Sequence, residues 1–473
     1  MSWKWRLLRQ VAARSGPAAR PLQLAACVAA LAVVPAAVAD DHDIVPRQVT
    51  YRGWKACVLE NELVRLHVVP EIGGRVIQYA LGDKEFFWVN SALAGKTSPP
   101  TGLDPEGNWL NYGGDKLWPA PQGWDNDQQW PGPPDAVLDG QPYRAEMERD
   151  PPGIRLASRD DPRSGIRFSR RIRLDPRSTR VRVEATMTNV DDKPRRWGIW
   201  AHTQLDAGPP DGDDYNRLLR AWCPINPRSH FDRGYRVIFG EKDNPSFEAD
   251  NRRSLMKVSY RYLVGKIGLD SHAGWVATVD GRNGDVFVQR FRFEPEKVYP
   301  DGSSVEFWHN GRGRIHAYKR WIDMPANRAR NPYVFESELL SPLAELRPSE
   351  SYTWTYEWHA CRIGGDFPVL SCGEAGVVSQ PLTCRREGDR FRIAGRFGVF
   401  QPGQLVLEAR DVKAKLLSTE TLESHATPLK PIALQRAVSL PPTTHSVTVV
   451  LKTREGTTIS EIARAGLAET TLP

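Results

Sequence analysis

The stretch VRVEATMTNVDDKPRRWGIWAHTQLD, residues 181–206, decides how the chain is read. Its first seven residues alternate. Val181, Val183, Ala185 and Met187 share one face, and Arg182, Glu184 and Thr186 take the other. That two-residue period predicts a half-buried β-strand. If WGIWAHTQL, later in the same stretch, is also a strand, Trp200, His202 and Gln204 point one way and Ile199, Ala201 and Thr203 the other. An indole, an imidazole and an amide on one face suit a hydroxyl-rich ligand. Aromatic faces stack on the C–H surface of a sugar ring, and the imidazole and amide bond its hydroxyls. The plainer reading of the same spacing is a hydrogen-bonded structural histidine.

The same period recurs on both sides. LVRLHVV (63–69) and IRFSRRIRL (166–174) alternate, and GWVATVDGRNGDVFVQRF (274–291) predicts a hairpin with its turn near Gly281 to Gly284. YTWTYEW (352–358) puts Tyr352, Trp354, Tyr356 and Trp358 on one face, apolar enough that it must be covered. Helical signals are scarce. The expected fold is all-β: a large antiparallel sandwich over residues 40–362, followed by a small immunoglobulin-like β-sandwich over 363–473. RIGGDFPVLSCGEAG (362–376) is the expected linker. Beyond it RFRIAG, QLVLEARDV and HSVTVVLKT give short alternating segments with no His or acid cluster of catalytic character.

At 473 residues the chain is about twice what one core usually supports, which agrees with two domains. Its formal charge of +7 owes five units to Lys4, Arg6, Arg9, Arg14 and Arg20. The remainder is near +2, so a nucleic-acid partner is not expected. Those basic residues precede the apolar run LQLAACVAALAVVPAAVA, and Ala37-Val38-Ala39 fits a small-x-small cleavage site. Residues 1–39 are therefore expected to be a signal peptide cleaved after Ala39. The mature chain would be periplasmic or secreted, with no stable membrane span. Export permits disulfides among Cys57, Cys223, Cys361, Cys372 and Cys384, and Cys361 and Cys372 are near enough in sequence to staple a short loop. No cysteine spacing suggests zinc. DAGPPDGDDY (206–215) lacks EF-hand spacing and reads as a solvated acidic loop.

Three further segments carry polar candidates. YVFESELLSPLAELRPSES (333–351) places Glu336 and Glu338 two apart, on one face of a strand. Neighbouring carboxylates repel, which suits an acid or base near neutral pH. NWLNYGGDKLWPAPQGW (108–124) packs Trp109, Trp118, Trp124, Tyr112 and two prolines around Gly113-Gly114. It is expected to be a rigid aromatic loop presenting Asn111, Asp115 and Lys116. In PEIGGRVIQYALG (70–82) a Gly-Gly turn presents Arg75.

In this order, across residues of roughly 50 to 360, the motifs resemble the galactose-mutarotase-like supersandwich proteins, the aldose 1-epimerases and their relatives. GGRVIQYAL resembles the family's glycine-led opening strand, TNVDDKPRRWGIWAHTQL the segment ending in its catalytic histidine, and FESELLSPLAELRPSES its acid-bearing strand. Through NYGGDKLWPAPQ the chain is most similar to a bacterial branch known as a domain of unknown function. The resemblance implies His202 as catalytic histidine and Glu336 or Glu338 as catalytic acid. Arg75, Asn111, Tyr112, Asp115, Lys116, Trp118, Trp124, Trp200 and Gln204 would bind substrate. Tyr112 stands where epimerases place a histidine, and Ala201 where an asparagine precedes the catalytic histidine. The implied activity is acid/base interconversion of sugar anomers, with no metal and no cofactor. Lys116 and Arg75 point to an acidic sugar. The competing expectations are a carbohydrate-binding protein of the periplasm or envelope, without turnover, and a lyase or hydrolase relative.

Overall fold

Alternation in the sequence becomes pleat in the structure. The computed structural model describes residues 44–97, 102–209 and 214–468. The expected leader, its cleavage point and part of the 206–215 acidic loop lie outside them. The Val181–Asn189 strand buries every odd position. It pairs with Ile166–Leu174 on one side and Ser351–Arg362 on the other, inside a ten-stranded antiparallel sheet. Trp354, Tyr356 and Trp358 all enter the core, with Tyr352 packed at its margin. The hairpin forms as Trp275–Asp280 and Asp285–Phe291, and its turn spans the predicted glycines.

A second sheet carries the Arg195–Asp206 strand at its centre. The order runs Arg47–Tyr51, Trp54–Glu60, Val64–Val69, Arg75–Leu81, Asp115–Ala120, Arg195–Asp206, Val334–Leu340, Val305–His309, Gly265–Leu269, Arg236–Gly240. The two sheets share one apolar core. Tyr79 of this sheet meets Phe287 and Trp358 of the other at ring-centroid distances of 5.8 and 6.2 Å.

Residues 371–468 form a separate eight-stranded sheet around a core of their own that includes Phe391, Phe397, Leu407 and Val449. The stretch expected to be a linker is packed rather than solvated. Ile363 and Val369 join Trp275, Val288, Val377 and Phe400 in a cluster that binds both parts of the chain. All five cysteines described are free thiols, so the expected staple between Cys361 and Cys372 is not formed. No helix among the described residues is long and apolar enough to cross a membrane.

Removing a fully buried indole leaves a cavity that the sheets cannot close. Trp358→Ala should cost about 3–5 kcal/mol in urea unfolding. Trp321→Ala, on a ring 60% exposed, should stay within about 0.5 kcal/mol. Equal losses would contradict the core assignment.

Candidate functional site

Three neighbouring strands build the site. The Arg195–Asp206 strand lies between Asp115–Ala120 and Val334–Leu340, antiparallel to both. Register sets Lys116, His202, Glu338 and Glu306 in one cross-strand row. Gln204, Glu336, Trp308 and Lys266 form the next row on that face. Trp118 and Trp200 face each other in the row on the other side. Because side chains two apart share a face, this whole set points the same way. Above it opens a cleft of about 1120 Å³ whose lining includes Trp109, Trp118, Trp200, His202, Gln204 and Glu336.

His202 Nε2 stands 3.0 Å from Glu336 Oε2, and Gln204 Nε2 donates to Glu336 Oε1 at 2.6 Å. Burial would raise the Glu336 carboxyl, but the His202 charge and hydrogen bond, with Lys116 and Gln204, outweigh it and hold the group below its usual range. Glu338 accepts from Trp200 Nε1 at 2.6 Å and from Lys266 Nζ at 2.8 Å. Lys266 also pairs with Glu306 at 2.7 Å and lies 4.1 Å over the Trp200 ring. Burial, reinforced by Glu338 and opposed by Lys266, pushes Glu306 up to about 7. Of the two candidate acids Glu336 reaches the cleft, at 8% exposure, whereas Glu338 is fully buried. Five buried polar atoms on this face of the sheet have no hydrogen-bond partner among the described residues: Lys116 Nζ, His202 Nδ1, Gln204 Oε1, Glu306 Oε1 and Glu338 Oε1. Buried polar atoms are normally paired, so such a concentration makes this face the candidate site. His202, Glu336 and Glu338 also bring three ligand atoms within 4.8 Å of one another, the makings of a metal site. Lys266 already supplies positive charge there.

The family model described as "Domain of unknown function (DUF4380)" matches residues 55–361. The chain belongs to the DUF4380 family. No curated protein matches it. Among solved structures it is similar to a galactose mutarotase-like protein from Clostridium acetobutylicum, at 10% identity and a TM-score of 0.41, covering 68% of this chain and 99% of that one. A galactose mutarotase related enzyme from Lactobacillus acidophilus gives 11% identity and a TM-score of 0.38, covering 64% and 97%. A TPR-domain containing protein from Parabacteroides distasonis gives 12% identity and a TM-score of 0.42. That match covers 67% of this chain and 48% of the other, so the chain spans about half its length.

The aromatic segment of this DUF4380 domain departs from a loop. Asp115–Ala120 is a central strand despite Pro119. Its partner on one side is the histidine strand, but on the other it meets Arg75–Leu81 only at Asp115, opposite Val76. Beyond that point the missing proline N–H breaks no ladder. Gly113 and Gly114 have φ of +94° and +72°, and a Cβ at Gly113 would lie 2.1 Å from the Trp88 carbonyl oxygen. Only glycine fits that approach.

Asp139, which the sequence reading did not single out, organises the tryptophans. Its carboxylate accepts from the indoles of Trp109 and Trp118 and pairs with Arg75 at 2.8 Å. Burial acts to raise it, but Arg75, Lys116 and the two indoles keep it low. Arg75, expected to bind substrate, is placed outside the cleft lining. It is fully buried and also donates to the Gly113 and Asp139 carbonyls. Tyr112 and Asp115 also lie outside the cleft lining. Tyr112 is buried with Trp54, Ile77 and Val89 outside the cleft lining. Asp115 faces the inter-sheet core, 2.6 Å from Arg170 and 2.8 Å from Thr203 Oγ1. Lys116 does share the His202 face, but it lies beneath the tryptophans, 5.2 Å over Trp109 and 4.6 Å over Trp118. Asn111 and Trp124 line the cleft wall.

Asp139→Ala would leave Arg75 buried without its charge partner, and should cost about 3–5 kcal/mol in chemical unfolding. Lys116 gives a signed pH test. Burial, with Arg75 adding to it, brings its ammonium down to about 7. The unfolded value is about 10.4, so between these limits the unfolded chain binds the extra proton and stability rises with pH. Lys116→Met should therefore stabilise most below pH 7, with the gain shrinking towards pH 10. A gain flat with pH would refute the assignment.

Proposed function

We propose that the cleft binds a sugar and that His202 and Glu336 interconvert its anomers. The observation that carries this reading is a histidine nitrogen and a carboxylate oxygen 3.0 Å apart on the floor of an aromatic cleft. A cyclic sugar presents its anomeric hydroxyl and its ring oxygen on the same carbon, so one tight acid/base pair can serve both. Glu336, favoured as the carboxylate, takes the proton of the anomeric hydroxyl. The His202 imidazolium gives a proton to the ring oxygen, and the C1–O5 bond breaks. Rotation about C1–C2 and reclosure deliver the other anomer, with the protons returned. Each transfer contributes about 10²–10⁴-fold. Trp118 and Trp200 line the cleft beside the pair, and Gln204 holds Glu336 in place. The resemblance of the His202 and Glu336 segments to aldose 1-epimerases supports the same reaction. We further propose that the chain works outside the cytoplasm, on the strength of its basic, then apolar, then Ala-Val-Ala leader. Mass spectrometry of the mature protein should find Asp40 at the amino terminus.

The second reading, a sugar-binding protein without turnover, draws on Tyr112. Its ring packs with Trp54, Ile77 and Val89 and does not line the cleft, where the resemblance would put a second histidine.

Exchange NMR on equilibrated neutral and uronic monosaccharides decides between the two. The wild-type protein should accelerate anomer exchange. His202→Ala and Glu336→Gln should each lose about 100-fold or more. The acid limb of the wild-type kcat/KM profile should fall below the free glutamate value of about 4.3, because Glu336 is held low. Binding with no acceleration would convert the proposal to the second reading.

A further inference from the structure

Building on the sugar-cleft reading, we propose that the ligand is an acidic oligosaccharide, held beyond the His202–Glu336 centre by an aromatic track and by Arg328 and Arg330. The first support is size. The cleft measures about 1120 Å³, whereas roughly 300–1,000 Å³ houses a drug-sized ligand. A single sugar ring would leave most of it unfilled.

The second support is a run of rings leading away from the centre. Trp308 is the cross-strand neighbour of Glu336. Its ring meets Phe239 at 5.9 Å, Phe239 meets Trp124 at 6.4 Å, and Trp124 meets Tyr318 at 4.9 Å. All four line the cleft. The outer pair is fixed in place. Trp124 Nε1 donates to the Pro131 carbonyl at 2.9 Å, and the Tyr318 hydroxyl donates to the Pro133 carbonyl at 2.8 Å. Tyr318 sits at the turn between Gly313–Ala317 and Arg320–Met324, so this bond ties the hairpin down over the cleft. A closed core needs no half-exposed tyrosine at its end, and Tyr318 is 45% exposed. Successive rings at these spacings offer successive platforms for sugar faces.

The third support is charge. Arg328 and Arg330 line the cleft, are exposed, and have no carboxylate partner among the described residues. The Arg328 guanidinium lies 5.2 Å over the Tyr333 ring. Their loop is built rather than loose. The Asn327 side chain accepts from the Ala329 backbone, Asn331 Nδ2 donates to the Pro325 carbonyl at 2.7 Å, and the Tyr262 hydroxyl donates to the Asn331 carbonyl at 2.9 Å. Arg75 and Arg170, by contrast, are buried and already paired with Asp139 and Asp115. An unpaired guanidinium at a cleft wall matches a carboxylate or sulfate through two parallel bonds. The floor itself is close to charge-balanced, with Lys266 answering Glu338 and His202 answering Glu336, so it suits hydroxyls. The anionic groups of the ligand belong at the wall.

Isothermal titration with oligogalacturonates of one to four units, sulfated oligomers and neutral glucose oligomers tests the proposal. For one of the acidic series, the trimer should bind about ten-fold or more tighter than the monomer. Whichever acidic series binds tighter identifies the anionic group. The Arg328→Ala/Arg330→Ala double variant should lose about ten-fold for acidic oligomers and less than about two-fold for neutral ones. Trp124→Ala should weaken trimers and tetramers more than monomers. Equal affinity for monomer and trimer, or a double variant that binds acidic oligomers like the wild type, would overturn the proposal. Anomer exchange on monosaccharides is read separately. Binding that depends on length and charge without exchange would retire the catalytic reading and leave this one standing. Exchange without such dependence would do the reverse.

Discussion

A slip of one residue between the Arg195–Asp206 strand and its neighbours would turn Trp200, His202 and Gln204 into the core and bring Thr203 to the cleft. Everything at the site depends on that register. The side facing the core is where it is pinned. Thr203 Oγ1 donates to Asp115, Asp115 pairs with Arg170, Arg170 also donates to the Gly74 and Asp115 carbonyls, and Gln289 of the opposite sheet donates to Thr203 at 3.1 Å. Ser337, on the glutamate strand, completes the network through Gln289. A slipped strand would leave these buried groups without partners, at a cost of several kcal/mol. The polar network inside and the His202 and Glu336 rows outside are two faces of the same three strands.

The outer face faces the opposite problem, because it concentrates ionisable groups away from water. Compensation there is local and incomplete. Lys266 is shared between two carboxylates, and Glu336 is shared between His202 and Gln204. Lys116 has aromatic faces around it and no hydrogen-bond partner among the described residues. Burial moves Lys116 and Glu306 towards neutrality, whereas His202 keeps Glu336 ionised. Environments that push neighbouring groups apart in this way separate acid from base within a few ångströms. The tryptophans narrow the site further, and Asp139 holds two of them by their N–H groups.

Much of this was legible where the chain keeps one period. In 181–206, counting by two placed His202 beside Trp200 and Gln204, and in 333–340 it put Glu336 and Glu338 on one face. Counting failed where the period breaks. Gly113 and Gly114 take positive φ, so the parity of Tyr112 says nothing about that of Lys116. Once the strand beginning at Asp115 is recognised, parity alone sends Asp115 to the core and Lys116 to the face that His202 shares. Pro119 and Pro121 masked that strand by making its sequence read as a loop. Asp139 follows no period. It sits in a short helical turn, Ala136–Gly140, and meets Trp109 through a contact 30 residues long. In the expected linker, Ile363 and Val369 are buried in a cluster with Trp275, Val377 and Phe400, contacts that no local period announces.

The proposed reaction requires His202 and Glu336 to act as one pair on one carbon. A crystal structure of the protein soaked with an equilibrated sugar tests this directly. The ring oxygen should lie within hydrogen-bond reach of His202 and the anomeric oxygen within reach of Glu336, with a tryptophan face beneath the ring. A sugar bound in the cleft with its anomeric carbon turned away from both residues would contradict it.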